Sequence, residues 1–349
     1  MHDRDWRPEM STLDASVLAR AFERDDVANA LHARGFAVVD DVLDVDYASN
    51  LKRAVEALAR DGHVKPNVTS FARGAHAKPR VYECDMNDID VEGKTRGNET
   101  YDAAWEFYDG SAEAFARALK AVVKGCDVES GAFARAVKTQ VNYGGGACFP
   151  WHYDNPGAPS KRSVSCILYL NEDWRPGDGG ELVLQPFCDV ATRVAPIHNR
   201  MAIFYSDRTL HRVLPSNAAT RYAVTVWIDG NFTNADGTST NTEVLELNAS
   251  EAMRDIAATA ASLRASNAQR ALSRAVYADE YEQSLVECMS SAPQALEEML
   301  EAHYDHCRAV KKQPGLKALV DALREHRLEV ESRRGEESIL FPSKSSSKP

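Results

Sequence analysis

The sequence predicts an α+β fold, with a β-rich core set between helical regions. Three observations carry that expectation: short β-branched and aromatic runs crowd the stretch from Ala136 to Asp229, helical periodicity precedes them, and an Ala-, Glu-, Leu- and Arg-rich helical pattern follows. The runs are AVKTQVNY, SVSCILYL, ELVLQPF, MAIFYSD and RYAVTVWI, separated by Gly, Pro, Asn and Asp. Closely spaced strands with turn signals between them indicate a sandwich, a jelly roll or a barrel.

Taken in order, apolar residues recur at helical spacing from about Leu13 to Ala33, and at Gly35 the chain turns into the strand Phe36-Ala37-Val38-Val39. The acidic stretch Asp40 to Asp46 leads into a second helix through Leu51, Val55 and Leu58, ending near Gly62. Residues 63 to 100 are rich in Lys, Arg, Asn, Asp and Gly and predict an irregular excursion, a kind of segment that often supplies substrate contacts. Helical periodicity resumes over 111 to 124 through Phe115, Leu119 and Val122, and again from Leu245 to about Val330. The expected organisation is therefore 1–136 as helices, early strands and a substrate-side segment packed on the core, 137–231 as the β core, 245–340 as a helical appendage, and 341–349 as a polar, disordered tail. The appendage is a packing buttress, a dimerisation face or a partner module.

With 349 residues, 44% of them hydrophobic, the chain can bury one full-sized core and a smaller unit. A net charge of -11 removes the attraction to phosphate that supplies most non-specific nucleic-acid affinity, so a nucleic-acid partner is disfavoured. Cys84, Cys126, Cys148, Cys166, Cys188, Cys288 and Cys307 are scattered without a CxxC pair, and their odd number predicts reduced thiols. The amino terminus lacks an apolar signal core, and no stretch approaches the roughly 20 apolar residues of a membrane helix. The expectation is a soluble cytoplasmic or nuclear protein.

His152 and Asp154 are two positions apart, which in an extended strand places an imidazole and a carboxylate on one face. His211 follows another apolar run, Met201 to Tyr205, and could return to the same end of a barrel. Two imidazoles and one carboxylate leave three coordination positions open, the arrangement non-haem Fe(II) oxygenases use. A second HxD, His303-Tyr304-Asp305, falls in the helical appendage, where residues two apart do not face each other, so both are expected to be solvated helix residues. Arg221 heads the strand RYAVTVW, and alternation puts Arg221, Ala223, Thr225 and Trp227 on one face. A buried arginine is costly without a carboxylate, and the far carboxylate of 2-oxoglutarate would supply one bidentately.

The blocks WHYDNPG, SCILYLNEDW, GGELVLQPF and FYSDRTLHRVLPSNAATRYAVTVW occur in order between residues 139 and 230. This stretch resembles the catalytic core of the prolyl 4-hydroxylase branch of the 2-oxoglutarate oxygenases, most closely the hypoxia-inducible-factor prolyl hydroxylase subgroup. The resemblance implies a double-stranded β-helix (jelly-roll) core, with His152, Asp154 and His211 as Fe(II) ligands. It also implies that Arg221 and Tyr169 hold the far carboxylate of 2-oxoglutarate, with Tyr143 and Thr225 lining the same pocket. Arg162 and Trp227 match positions near a peptide groove, and Phe149 stands by the iron where the subgroup often has tyrosine. The reaction implied is O2-dependent hydroxylation at C4 of a proline within a protein, with ascorbate as the reductant. Residues 1–138 carry no motif that aligns with the family, its mobile substrate-covering segment is not recognisable, and Tyr143-Gly144-Gly145-Gly146 is richer in glycine than the family pattern. The same chemistry on a small molecule or another side chain, and a non-catalytic sensor working through the helical region, are the alternatives.

Overall fold

The structure is a computed structural model and describes residues 15–71, 74–92, 95–232 and 248–340. The polar tail 341–349 and the start of the expected appendage, 245–247, lie outside the described residues.

The first helical stretch is two helices, α1 (Ala15–Phe22) and α2 (Asp25–Arg34). The break comes at Arg24, which is extended (φ -63°, ψ 135°) and pairs with Asp26. Gly35, in the left-handed region at φ 79°, closes α2 with its N–H on the Leu31 carbonyl and turns the chain into β1 (Phe36–Val39). The next helix, α3 (Val45–Arg60), starts where the Asp44 carboxylate accepts from the N–H groups of Asp46 and Tyr47.

Residues 63–100 are not the irregular excursion the composition suggests. β2 (Lys65–Phe71) and β3 (Gly74–Asp85) form an antiparallel hairpin, followed by α4 (Met86–Glu92). The hairpin sits at the edge of a sheet, and within β3 only Val81 and Cys84 are fully buried, so its sequence lacks the apolar alternation of a core strand. α5 (Asp102–Val122) begins nine residues earlier than its periodicity over 111–124 suggests.

The remaining strands are β4 (Cys126–Val128), β5 (Arg135–Asn142), β6 (Ala147–His152), β7 (Arg162–Tyr169), β8 (Leu182–Gln185), β9 (Thr192–Val194), β10 (Arg200–Tyr205), β11 (Leu210–Ser216) and β12 (Arg221–Phe232). They make two facing antiparallel sheets. The larger runs β1-β10-β7-β12-β5-β3-β2, with β4 paired to β12, and the smaller runs β9-β8-β11-β6. This is a double-stranded β-helix. Its interior is filled by Phe149, Tyr169, Leu184, Phe204, Val213 and Ala223 from both sheets. The outer face of the larger sheet, including Val137, Val224 and Val226, packs against Leu51, Val55, Phe115 and Leu119 of the amino-terminal helices.

Beyond the barrel lie α6 (Ala249–Ala252), α7 (Ile256–Arg264), α8 (Gln269–Val276), α9 (Ala278–Met289), α10 (Pro293–Lys312) and α11 (Leu316–Arg334). They bury Leu272, Val276, Tyr277, Leu319 and Leu323 against Phe187, Cys188 and Leu210 of the barrel side. A last strand, β13 (Glu337–Ile339), joins the smaller sheet in parallel with β9. Three residues are too few for a sequence signal, and this strand was not foreseen.

Two expectations about single residues are corrected. Cys148 on β6 and Cys288 on α9 are disulfide-bonded, so the cysteines are not all free thiols; their separation of 140 residues hides the pairing until α9 docks on β6. His303 is not solvated but 1% exposed, with its ring 5.9 Å from that of Tyr281, because it lies on the face of α10 that packs on α9. Asp305 on the opposite side is exposed and pairs with Arg308. Among the described residues no helix is long and apolar enough to cross a membrane.

Candidate active site

β6 ends at His152, and β11 pairs with it so that His211 lies directly across. Asp154 follows two residues beyond His152, as the strand spacing predicts. Its Oδ1 is 3.6 Å from His152 Nε2 and 3.5 Å from His211 Nε2, and the two imidazole centroids are 4.2 Å apart. One ligand atom from each of these residues falls within 4.8 Å of the others.

Neighbouring groups fix which atoms face inward. His152 Nδ1 lies 2.8 Å from the Pro150 carbonyl and His211 Nδ1 lies 3.0 Å from the Thr209 carbonyl. A carbonyl only accepts, so each Nδ1 carries the proton and each Nε2 presents a lone pair. Asp154 Oδ2 accepts from Ser165 Oγ at 2.6 Å and Trp227 Nε1 at 2.9 Å, which leaves Oδ1 to face the two Nε2 atoms. Burial, aided by nearby His211, holds His152 below its ordinary pKa. Burial alone would raise the Asp154 carboxyl, but positive charge beside it, supplied by His211 and His152 when protonated, holds it well below the usual carboxylate range. Two nitrogen lone pairs and a carboxylate oxygen pointed at one spot form a donor set suited to a divalent cation with open positions.

Deeper in the barrel, Arg221 is 3% exposed, and burial pushes its guanidinium down from its ordinary pKa. Its Nε donates to the Gly180 carbonyl at 2.8 Å, and the guanidinium carbon is 5.1 Å from the Tyr169 ring centre. No carboxylate among the described residues pairs with it. Asn142 stands opposite Arg221 on β5 with both side-chain polar atoms buried and unpartnered, and Tyr169 Oη and Ser216 Oγ are in the same condition. Gly180 makes room for this group: a Cβ there would come within 2.8 Å of Arg221 Cδ and 3.2 Å of Ser216 Oγ. A buried cation ringed by unsatisfied hydrogen-bonding groups fits a bound carboxylate, which would partner them together.

Residues 139–229 match the family described as the 2OG-Fe(II) oxygenase superfamily. A crystal structure from work on prolyl 4-hydroxylases of Phytophthora capsici superposes with a TM-score of 0.74 at 34% identity, covering 92% of this chain and 97% of that one. The chain belongs to the 2-oxoglutarate- and Fe(II)-dependent oxygenases, in the prolyl 4-hydroxylase branch. Egl nine homolog 1 of Mus musculus is 28% identical over 236 residues, which is 63% of this chain and 52% of that protein. Human prolyl hydroxylase EGLN3 is 42% identical over 87 residues, 24% of this chain and 36% of that one. The chain thus spans about half the length, or less, of these curated relatives.

The oxygenase brings some of the other expected residues to the site and places some elsewhere. Thr225 is buried on the same barrel-facing side of β12 as Arg221 and Trp227. Phe149 lies 6.1 Å from the His152 ring and stacks on it. Trp227 is engaged with Asp154, and Arg162 packs over Trp227 at 4.1 Å while donating to the Asp154 carbonyl at 3.0 Å. Trp227 therefore holds the carboxylate itself, and Arg162 holds the Asp154 main chain and the indole. Tyr143 is not brought to Arg221: Asn142 takes the register position opposite the arginine, and Tyr143, one residue on, packs against Tyr82 on the other face of the sheet. Sequence reasoning missed Asn142, Ser165 and Ser216. Alternation from Tyr169 back through Ile167 places Ser165 on the barrel face, so that residue carried a usable signal; the other two carried none without the register.

Proposed function

We propose that this oxygenase is a prolyl 4-hydroxylase that acts on a proline within a protein, using Fe(II), 2-oxoglutarate and O2, with ascorbate as the reductant. The observation that carries the reading is the convergence of His152 Nε2, His211 Nε2 and Asp154 Oδ1 in the same barrel as the buried Arg221, which has no carboxylate partner among the described residues. His152, His211 and Asp154 would hold the metal by one face, and Arg221, Tyr169, Asn142 and Ser216 would take the far carboxylate of 2-oxoglutarate. When bound, the iron and its co-substrate supply the insertion of one oxygen atom of O2 into a C–H bond, as 2-oxoglutarate becomes succinate and CO2. Ser165 and Trp227 hold Asp154 in a single orientation, so the ligand set is assembled before any cation arrives. The apolar wall of Phe149 and Phe204 beside the imidazoles keeps water from that side. Support for proline in a protein comes from the relatives named as prolyl hydroxylases and prolyl 4-hydroxylases.

The test is an anaerobic titration of Fe(II) and 2-oxoglutarate followed through the metal-to-ligand charge-transfer band, then admission of O2 with succinate and peptide mass as readouts. The wild type should show the band, release succinate, and add one oxygen to a proline-containing target. His211→Ala should lose the band, and Arg221→Ala should weaken 2-oxoglutarate by roughly 100-fold or more, as expected when one partner of a buried charge pair is removed. A wild-type chain that binds neither iron nor 2-oxoglutarate would sink the proposal.

A further inference from the structure

A cleft of about 700 Å³ opens beside His152 and runs along the seam between barrel and appendage. Trp151, Tyr153 and Asn155 line one bank, and α8, α9 and α10 supply the other through Arg270, Arg274, Tyr281 and His306. The cleft's charge is opposite to that of the molecule. Lys78, Arg270 and Arg274 line it, no aspartate or glutamate among the described residues does, and the whole chain carries a net charge of -11.

Among the described residues these cations are not spent on ion pairs. Arg270 lies over the Tyr153 ring at 5.4 Å and reaches Asn155 Oδ1 at 3.5 Å, and Arg274 lies over the Tyr281 ring at 5.2 Å. Lys78 lies over Phe149 at 5.1 Å and donates to Asn67. No carboxylate among the described residues forms an ion pair with any of the three. Low-dielectric walls bearing charge of one sign concentrate the field within a cleft.

We propose that the helical appendage forms half of the substrate site, and that the cleft takes a protein segment with an acidic side chain close to the target proline. This rests on the prolyl hydroxylase reading. A proline presented at His152 leaves its flanking residues along the cleft, where a carboxylate meets Arg270 and Arg274. The tyrosines beneath those guanidiniums hold them against rigid rings, which lowers the ordering cost of pairing.

The experiment uses the full chain loaded with Fe(II) and 2-oxoglutarate under argon, and fluorescein-labelled proline peptides identical except for aspartate, asparagine or lysine flanking the proline. Anisotropy should show the aspartate peptide binding at least about tenfold tighter than the asparagine one, a difference near 1.4 kcal/mol, and the preference should shrink as salt rises. Arg270→Gln/Arg274→Gln should bring the two peptides within about twofold. Arg308→Gln/Arg333→Gln, which removes the same charge from exposed sites, should leave the preference intact. Equal wild-type binding of the aspartate and asparagine peptides, or a preference that survives in Arg270→Gln/Arg274→Gln, overturns the proposal, and the wild-type comparison decides even if that variant misfolds. Admitting O2 to the same samples separates the two readings. An aspartate preference without succinate release or oxygen gain on proline refutes the hydroxylase reading, and turnover without that preference refutes the acidic-segment reading.

Discussion

Asp154 uses its two oxygens differently, and that division is open to test. Oδ2 is occupied by Ser165 and Trp227, so Oδ1 is the atom left to face the imidazoles. Trp227→Phe keeps the aromatic body and removes only the Nε1 donor. Groups that orient a metal ligand in this way typically change metal affinity about 10–100-fold when lost, and an anaerobic Fe(II) titration against a competing chelator should show a drop in that range. Unchanged affinity would mean that the indole merely fills space. Gly180 gives a second test, because a methyl group there meets Arg221 Cδ at 2.8 Å and the backbone sits at φ +70°. Gly180→Ala should weaken 2-oxoglutarate roughly tenfold or more through displacement of the guanidinium, an off-position charge being costly in a buried site, while Fe(II) binding without co-substrate holds. Equal losses of both would point to general unfolding. In the candidate site, His152, Asp154 and Arg221 were legible because their spacing is itself geometry: His152 and Asp154 two apart, and Arg221 at a strand head. Asn142 was not legible. Its place in the candidate pocket depends on being paired with Arg221 across strands, whereas Tyr143, the more distinctive neighbour in the sequence, is turned to the opposite face by alternation.

At the scale of elements, legibility followed burial. β7, β10 and β12 are buried on both faces and announced themselves as apolar runs, whereas the β2–β3 hairpin hangs on a sheet edge, and its polar sequence resembles a loop. The contact between α9 and β6 was invisible for a different reason, since it depends on how the appendage folds back. Cys148 and Cys288 lock that contact, and Ser284 Oγ receives the Trp151 N–H from the same strand at 3.3 Å. β6 ends in His152, so the disulfide anchors the strand that carries one proposed ligand. Cys288→Ser should cost about 2–5 kcal/mol of unfolding free energy, the usual range for removing a native disulfide. Urea melts of the variant, and of the wild type with and without dithiothreitol, measure it. The reduced wild type should match the variant, and a variant as stable as the oxidised wild type would show that the bond is not formed in solution.

For the molecule as a whole, net charge says nothing about the cleft, because -11 over the whole chain coexists with a local cluster of cations that have no carboxylate partner among the described residues. Lys78 shows how that cluster enters global stability. Burial pushes its ammonium down to about 8, against partial compensation from Glu83, while an unfolded chain returns it to its ordinary 10.5. Below pH 8 the group is protonated in both states, and the folded protein bears the full cost of a poorly solvated charge. Between about 8 and 10.5 the folded state has released the proton and the unfolded state still holds it, so the unfolded state binds more protons and stability rises with pH. Above 10.5 this contribution is constant. Other groups titrate over the same range, so the informative quantity is the difference between wild type and Lys78→Met, which fits a similar stem without the charge. Urea midpoints measured at constant ionic strength should show the methionine variant ahead at pH 7, with its advantage narrowing as pH climbs through 8 towards 10. An advantage that stays constant with pH would mean that Lys78 is charged throughout and well solvated. Its contribution to the cleft would then be that of an ordinary surface lysine.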